Sequence, residues 1–455
     1  MSKKKKKKKV ELTEIEIFDI KIDNLLNILI PAIIVIIPII FILYLLNVHG
    51  YFYSALGSNI IFRLDKYYRL LLYVLFFIFN YKLFRRQVKI TKTDIFLFLL
   101  ILITIISTIF SKNISIALFG YNRRYEGLFT LLFYYYLYLD IKLLKHFDIK
   151  SLIKILLFIS IFESIIGITQ KLGLFSLIFN QYNVTTAQVI GLTENSDFYG
   201  SFTCLFSMFG IVGYLLHKEK NNYIPYLIVF ILSYINMLWS NTSSPFISLI
   251  FSFIMLIIYL IITKHINIKK LIITIILLIT LYPLCLYNND KITKELNNNV
   301  ESISNLINNA DEVSSTNKKL RKLGHGRLRI WINTINSCKS RWYIGYGPDN
   351  LGLVYQKTED DSKLADKAHN IYLHLWSSSG IFALLSYLIW VIYCGIKGLK
   401  SKNVYAIILS FSIFAYSVQG FFNINVSEVT PFFYIIMGIM MYIVNEDKIT
   451  LKRLN

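Results

Sequence analysis

Charged residues are scarce in this chain, and their scarcity indicates its class. Only 16% of the 455 residues are Asp, Glu, Lys or Arg, whereas a soluble domain carries about 25%. Hydrophobic residues make up 55%, and they fall into runs of roughly 17 to 22 residues, the length at which a helix crosses about 30 Å of hydrocarbon. Because membrane-spanning strands alternate apolar and polar residues, strands do not explain these runs. The sequence predicts an all-α polytopic membrane protein.

Cysteine is also rare, since the chain has only four. Cys204, Cys285 and Cys394 fall within apolar runs and Cys338 lies outside them, so no disulfide framework or metal-ligand spacing is present. The sequence has no P-loop, no glycine-rich dinucleotide turn and no His-Glu-x-x-His motif. The predicted outer segments contain no Asp-x-Asp motif, which would bind a nucleotide sugar through a metal ion. The sequence therefore carries no recognised motif for a nucleotide, a dinucleotide or a catalytic zinc, and no cofactor is predicted.

The apolar runs predict twelve spans, with one long polar segment between the ninth and the tenth. The predicted spans are Leu26–Leu46, Tyr68–Phe84, Ile95–Phe110, Gly127–Leu144, Ser151–Gln170, Phe198–Leu216, Tyr223–Trp239, Pro245–Thr263, Leu271–Tyr287, Ile371–Ile396, Val404–Gly420 and Pro431–Val444.

The net charge of +21 is distributed as the positive-inside rule requires. The short loops on the side of the Lys3–Lys9 run hold 15 Lys or Arg, and those on the other side hold 6. This asymmetry predicts a multi-pass protein of the plasma membrane with both termini in the cytoplasm and the long segment outside. The lysine run is then a topology anchor at the anionic inner leaflet, not a nucleic-acid site.

The predicted topology divides the chain into five parts. They are a basic cytoplasmic N-terminus (1–25), the first nine spans (26–287), a large extracytoplasmic loop (288–370), the last three spans (371–444) and a cytoplasmic C-terminus (445–455).

Two helices are predicted within the loop. In Ile292–Ile307 the apolar residues recur every three or four positions, which is typical of an amphipathic helix lying on a membrane surface. The spacing of apolar residues predicts a second helix over Arg327–Ser337, followed by a turn at Gly345–Pro348. The Asn308–Lys319 stretch has no periodicity, and we expect it to be mobile.

Four arginines on the outer side are candidate phosphate ligands, because the positive-inside rule disfavours them there. Arg123 and Arg124 precede the fourth span, and Arg327 and Arg329 open the second loop helix. A guanidinium presents a rigid fork of donors that matches phosphate oxygens. At the membrane face, a lipid-linked diphosphate is the natural ligand for such a group. The alternative is contact with lipid headgroups, or pairing with carboxylates such as Glu126 or Asp349.

His369 is the candidate general base, because a neutral imidazole accepts a proton near neutral pH. It stands at the outer mouth of the tenth span, where a histidine can also be an ordinary interfacial residue. His374 lies five residues further on, on a different helix face, and is better explained by packing. His325 lies between two glycines beside the loop helix, and its role stays open.

Two carboxylates lie within or next to spans, where ionisable groups are often functional. Glu163 falls in the middle of the fifth span, and a hydrogen bond inside the bundle explains it equally well. Asp197 immediately precedes the sixth span.

Several segments together resemble the O-antigen ligase and O-antigen polymerase superfamily. The resemblance covers roughly Ser111 to Val444, and the order and spacing of the motifs around one large loop make the combination specific. The segments are Arg124-Tyr-Glu-Gly127, Gly191-Leu-Thr-Glu-Asn-Ser-Asp-Phe-Tyr-Gly200, Gly326-Arg-Leu-Arg-Ile-Trp331, Ile344-Gly-Tyr-Gly-Pro348, Ala368-His-Asn-Ile-Tyr-Leu373 followed by Gly380, and Gln419-Gly-Phe-Phe-Asn-Ile-Asn425 leading into Thr430-Pro431.

The resemblance implies a C-type glycosyltransferase fold that takes glycan from an undecaprenyl-diphosphate carrier to a hydroxyl acceptor, without a metal. It implies diphosphate binding by Arg124 and Arg327 and base catalysis by His369. Two segments depart from the family pattern. Asn195-Ser-Asp197 stands where relatives have Asn-Pro-Asn, and Thr242-Ser-Ser-Pro245 stands where many carry an arginine. A second diphosphate ligand would therefore come from elsewhere, for instance from Arg123 or Arg329.

Three other functions compete with glycosyl transfer. A transporter or flippase of lipid-linked sugars would show inverted repeats and polar groups at the membrane midplane, which this sequence does not display. The peptidoglycan polymerases of the shape and division family also have a large external loop but lack the His-Asn motif and the Gly-Tyr-Gly turn. A structural partner with a decayed site is the third. Ligase and polymerase both remain open, since the donor is the same and only the acceptor (glycan, lipid or protein) differs.

Overall fold

The computed structural model describes residues 13–48, 64–121, 124–174, 188–193, 195–287, 290–308, 326–355 and 365–454, and these form helices joined by turns, with no strand among them. The helices are α1 (Glu14–Val48), α2 (Leu64–Phe84), α3 (Lys92–Ile109), α4 (Ile114–Phe119), α5 (Leu128–Lys142), α6 (Ile149–Lys171), α7 (Ser196–Leu216), α8 (Lys220–Ser240), α9 (Ser243–Ile262), α10 (Ile268–Leu286), α11 (Lys291–Asn308), α12 (Arg327–Cys338), α13 (Leu351–Val354), α14 (Ile371–Ser379), α15 (Ile381–Leu399), α16 (Val404–Gln419) and α17 (Thr430–Leu454).

Nine of the helices in the described residues are long and apolar enough to cross a membrane, namely α1, α2, α3, α6, α7, α8, α9, α10 and α15. The shorter apolar helices α16 and α17 coincide with the last two predicted spans. The fourth predicted span is α5, which has 15 residues and so is shorter than the ~20 that a span needs. The polytopic all-α prediction is confirmed, and the number of twelve spans stays a prediction.

The tenth predicted span, Ile371–Ile396, is two helices. Gly380 ends α14 and precedes α15 with a φ of 84°, a conformation that disfavours residues with a side chain. A Cβ at this position would lie 2.2 Å from the carbonyl oxygen of Tyr343. The apolar run predicted a continuous helix, but close approach of another segment breaks it here.

The core of the bundle surrounds α7, which packs against α8, α9 and α16. Nearly the whole of α7 is buried, because its small and aromatic residues face neighbours on every side. The outer helices α9 and α10 instead present long isoleucines to the surroundings, and the side chain of Ile262 is 73% exposed. Such a surface is stable in contact with hydrocarbon, which agrees with a membrane-embedded bundle.

Both predicted loop helices are confirmed by α11 and α12. The hydroxyl of Thr293 on α11 lies 2.7 Å from that of Tyr282 on α10, so α11 begins against the end of a spanning helix. The segment predicted to be mobile, Asn308–Lys319, lies outside the described residues apart from its first residue, as does His325.

The bundle has two distinct ends, which α3 connects over about 27 Å. At the carboxyl end of α3, Ser107 donates to the carbonyl of Ser378, and Arg341 donates to the carbonyl of Phe110. We call this the loop end. At the other end, which we call the N-terminal end, Asp23 near the start of α1 pairs with Lys82 at 2.5 Å.

Candidate functional site

The predicted Gly345–Pro348 turn packs directly on the Gly380 break. The amide of Tyr346 donates to the carbonyl of Ser377 at 2.9 Å, and that of Gly347 to Ser378 at 2.8 Å. Gly345 has a φ of 74°, and a Cβ there would lie 2.5 Å from the Ser378 carbonyl. The glycines therefore allow two backbones to touch, and this contact fixes the position of α14 and of the residues just before it.

α12 packs against α14 and brings Arg327 toward His369. The indole nitrogen of Trp331, one turn after Arg327, donates to the carbonyl oxygen of His369 at 3.3 Å. A terminal nitrogen of Arg327 lies 3.5 Å from a carboxylate oxygen of Asp197. Arg329 is two positions further along the helix, and residues at that spacing do not share a face. Arg327 and Arg329 therefore do not point to the same place.

Arg124 reaches the same region from the segment before α5. Its Nε donates to a carboxylate oxygen of Asp366 at 2.6 Å, and its guanidinium carbon lies 6.0 Å from the ring centre of Phe198. Asp366 is three residues before His369 in the chain, and Phe198 follows Asp197 on α7. Arg123 lies outside the described residues.

His369 is electrostatically coupled to both arginines. Burial lowers the pKa of His369, the positive charge of Arg327 and more weakly that of Arg124 lower it further, and the carboxylates of Asp197 and Asp366 oppose them. The net effect is a pKa below the usual value, so the imidazole is neutral at neutral pH and able to accept a proton. The structure thus brings together Arg124, Arg327 and His369.

A buried ion cluster that the sequence did not reveal lies behind this group. The ammonium of Lys367 is 2.9 Å from a carboxylate oxygen of Glu126 and 2.5 Å from one of Asp349. The side chain of Lys367 is 1% exposed and that of Glu126 is 4% exposed. We call these three residues the Lys367 cluster. His374 contacts it, since its Nε2 is 3.7 Å from Asp349.

The charges of the Lys367 cluster stabilise one another against burial. Burial alone would raise the pKa of Asp349, but Lys367 and His374 bring that pKa well below its usual range. Burial would lower the pKa of Lys367, but the two carboxylates raise it above the ordinary value. Burial raises the pKa of Glu126, and Lys367 offsets part of that rise. Glu126 and Asp349, the carboxylates named as alternative partners of the arginines, both pair with Lys367.

The remaining candidates lie on or beside α6, α7 and α9. Glu163 is buried on α6, and its backbone carbonyl accepts from the hydroxyl of Tyr199 at 2.9 Å; the role of its carboxyl group stays a prediction. Asp197, at one of the two departures from the family pattern, pairs with Arg327. The Thr242–Pro245 segment packs against Gly200 on α7, where a Cβ would lie 2.6 Å from Pro245.

Among the described residues, no three His, Cys, Asp or Glu side chains form a group that could hold a metal ion. What the site does offer is two guanidiniums for an anion and one neutral imidazole for a proton, grouped at one end of the bundle. The sequence identified the arginines and the histidine through motifs. It did not identify Asp366 or Lys367, although both immediately precede the Ala368-His369-Asn370 segment.

Comparison with known families gives a match over residues 228–388, to the family model described as O-antigen ligase. The matched region contains Arg327, Asp349, Lys367 and His369, and it ends within α15. A comparison with curated proteins finds no match. The family match supports an O-antigen ligase-like or polymerase-like role in surface polysaccharide biosynthesis, and it confirms the resemblance of this chain to the O-antigen ligase and polymerase superfamily.

Proposed function

We propose that the protein transfers glycan from an undecaprenyl-diphosphate carrier to a hydroxyl acceptor at the extracytoplasmic face of the plasma membrane. The observation that carries the proposal is the placement of His369 between two arginine-bearing segments. Trp331, one turn after Arg327, donates to the carbonyl oxygen of His369 at 3.3 Å, and Arg124 donates to Asp366, three residues before His369, at 2.6 Å. A base and an anion site side by side are what this transfer needs, because it releases a diphosphate and a proton together.

In the proposed reaction, the acceptor hydroxyl attacks the anomeric carbon of the lipid-linked sugar. The new carbon–oxygen bond forms as the bond from the anomeric carbon to the phosphate oxygen breaks. His369 accepts the hydroxyl proton, and undecaprenyl diphosphate leaves with the bonding electrons. Base catalysis of this kind contributes ~10²–10⁴-fold to the rate. The diphosphate leaving group supplies the driving force, so no nucleotide is required.

The arginines stabilise the charge that grows on the departing diphosphate. Each such donor typically contributes ~3–4 kcal/mol to transition-state stabilisation in a water-excluded site. Arg124 pairs with Asp366, and Arg327 pairs with Asp197. In the proposed reaction, diphosphate oxygens take the place of these carboxylates as partners of the guanidiniums, and the two aspartates accept hydrogen bonds from sugar hydroxyls.

The proposed orientation follows from the distribution of basic residues. With both termini in the cytoplasm, the loop end faces outward, where the lipid-linked glycan is displayed and no ATP is available. The Asp23, Lys82 and Lys145 side chains at the N-terminal end then face the anionic inner leaflet, as basic residues do in most membrane proteins.

Reconstitution tests the function directly. The purified full-length protein is placed in proteoliposomes with an undecaprenyl-diphosphate-linked glycan and a panel of glycan, lipid and protein acceptors. We expect a new glycosidic product together with stoichiometric release of undecaprenyl diphosphate. Movement of the intact lipid-linked glycan across the bilayer without a new glycosidic bond would instead identify a flippase and overturn the proposal.

A further inference from the structure

We propose that Lys367, with Glu126 and Asp349, is a positioning residue that fixes the diphosphate-binding arginine and the base relative to each other. The inference rests on the proposed glycosyl transfer and adds to it three buried residues that act through Arg124 and His369. Lys367 is buried at the point where three separate chain segments meet. Those segments are 120–127, which carries Arg124; 345–350, which forms the glycine turn; and 365–370, which carries His369.

The cluster connects these segments through their backbones as well as their charges. One carboxylate oxygen of Asp349 accepts from the amides of Tyr121 and Glu126, at 3.0 and 3.1 Å. The next residue, Asn350, accepts from the amide of Asn113 at 2.9 Å. Asp349 therefore holds the Arg124 segment from both of its ends, while Lys367 attaches the His369 segment to the same carboxylate.

Each of the three segments also contains a strained residue. Tyr125, Asp349 and His369 have φ values of 54°, 56° and 48°, which lie in the left-handed region that is strained for a residue with a side chain. Tyr125 follows Arg124 directly, and His369 is the candidate base. Such a conformation persists only where surrounding contacts over-determine it. The Lys367 cluster supplies those contacts. Glu126 directly follows Tyr125, Asp349 is itself a member of the cluster, and Lys367 is two residues before His369.

Ion pairing suits this purpose better than apolar packing would. Replacing a buried ion pair by well-packed hydrophobic residues of similar volume often leaves stability unchanged or raises it, so the cluster is a poor means of stabilising a fold. Charge-assisted hydrogen bonds are short and directional, so it is a good means of fixing geometry. A displacement of about 1 Å in the catalytic groups costs roughly 10²-fold in rate. The role of Lys367 is therefore to set positions, at little net gain in stability.

A neutral version of the cluster separates the two roles. The triple variant Lys367→Met/Glu126→Gln/Asp349→Asn keeps side chains of similar volume and leaves no buried charge unpaired. Its matched control is Lys142→Met/Asp94→Asn, which removes another buried ion pair, at the N-terminal end of the bundle. We expect both variants to reach the membrane and to melt near the wild-type temperature.

Steady-state kinetics of both variants provide the first readout. In the triple variant we expect kcat to fall about 10²-fold while KM for the donor changes far less, and in the control we expect wild-type kcat. If the cluster served the fold alone, the triple variant would keep wild-type kcat once its folded fraction is accounted for, and the proposal would be overturned.

Hydrogen exchange provides a second readout that needs no activity. In the substrate-free triple variant, we expect peptides covering 120–127 and 365–370 to exchange faster than in wild type, with no change in peptides around Lys142. Unchanged exchange in both peptides would contradict the positioning role even if activity fell. A wild-type protein that makes no glycosidic product would refute the proposed function, and the exchange data would still decide whether the cluster fixes these segments.

Discussion

Buried ion pairs occur at both ends of the bundle, but they connect different kinds of structure. At the N-terminal end, the ion pair of Asp94 and Lys142 connects α3 to α5. The ion pair of Lys82 and Asp23 connects α2 to α1. At the loop end, the members of the Lys367 cluster all lie outside the helices. Helices keep their own geometry once formed, so pairs between them affect mainly lateral packing. Turns lack the regular backbone hydrogen bonds of a helix. Ion pairs between turns therefore determine where the side chains of those turns point.

The comparison teaches that burial and charge alone do not distinguish one buried ion pair from another. Asp94 accepts from the amide and hydroxyl of Thr91, at 2.6 and 2.7 Å, and so caps its own helix. Asp349 has a similar burial and a similar lysine partner, but its amide donors belong to a distant segment. The identity of the segments that a carboxylate joins separates the two cases. Matched substitutions at the two ends therefore test whether function is confined to the loop end.

The largest difference in activity is expected between variants of two histidines. His369→Ala should reduce kcat by about 10²–10⁴-fold, because the acceptor hydroxyl loses its base. His265→Ala, which alters an exposed residue beyond α9 at the N-terminal end, should leave transfer unchanged. Both are measured in the proteoliposome assay, with the amount of inserted protein as reference. Wild-type turnover in His369→Ala would remove this residue from the mechanism.

The second largest difference in activity is expected between two arginine variants. Arg327→Ala should lower kcat/KM by roughly 10²–10³-fold, because one donor to the departing diphosphate is lost. Arg85→Ala removes a guanidinium whose partner is Asp19, at 3.2 Å, at the N-terminal end. It should leave kcat/KM unchanged. Equal losses in the two variants would mean that arginine substitutions act through general destabilisation of the protein.

The pH dependence of transfer should respond to charges at the loop end only. A neutral His369 is the active form, so kcat/KM should rise with pH through the pKa of this residue and then level off. Asp366 opposes the lowering of that pKa, so Asp366→Asn should move the acid limb to lower pH. Asp19→Asn, at the other end, should leave the limb in place. A shift to higher pH in Asp366→Asn would contradict the proposed electrostatics.

The smallest effect is expected from an exposed ion pair at the N-terminal end. Lys145 lies 2.9 Å from Asp23 with its side chain 44% exposed, and exposed pairs contribute about 0–1 kcal/mol to stability. Lys145→Ala should lower the free energy of unfolding by no more than that and leave transfer intact. Thermal unfolding in detergent measures it. A large destabilisation would show that the two ends do not differ as described.

Sequence reasoning predicted much of the helical architecture because the relevant signals are local. Apolar runs predicted most of the spans. The periodicity of apolar residues predicted α11 and α12, with both ends of each helix correct to within one residue. The Gly380 break was missed because a run of apolar residues does not reveal that another segment will approach the backbone there. At Gly380 that segment includes Tyr343, whose carbonyl oxygen would lie 2.2 Å from a Cβ.

The site was predictable to the extent that motifs mark it. Arg124, Arg327 and His369 were identified from short segments, and the structure places them together. The Lys367 cluster was not identified, because Lys367 and Glu126 are 241 positions apart in the chain. No periodicity or spacing rule connects residues at such a separation. Their pairing depends on how α5, the glycine turn and α14 pack.

The separation of Glu126 from the rest of the Lys367 cluster has a consequence for chimeric proteins. The family match begins at residue 228, so replacing that region of this chain by the region of another protein removes Lys367 and Asp349 but leaves Glu126 in place. Such a hybrid keeps the Glu126 carboxylate without the lysine that pairs with it in this chain. Donor and acceptor preferences measured on it would be obscured by misplaced catalytic groups unless residues 120–127 travel with the exchanged region.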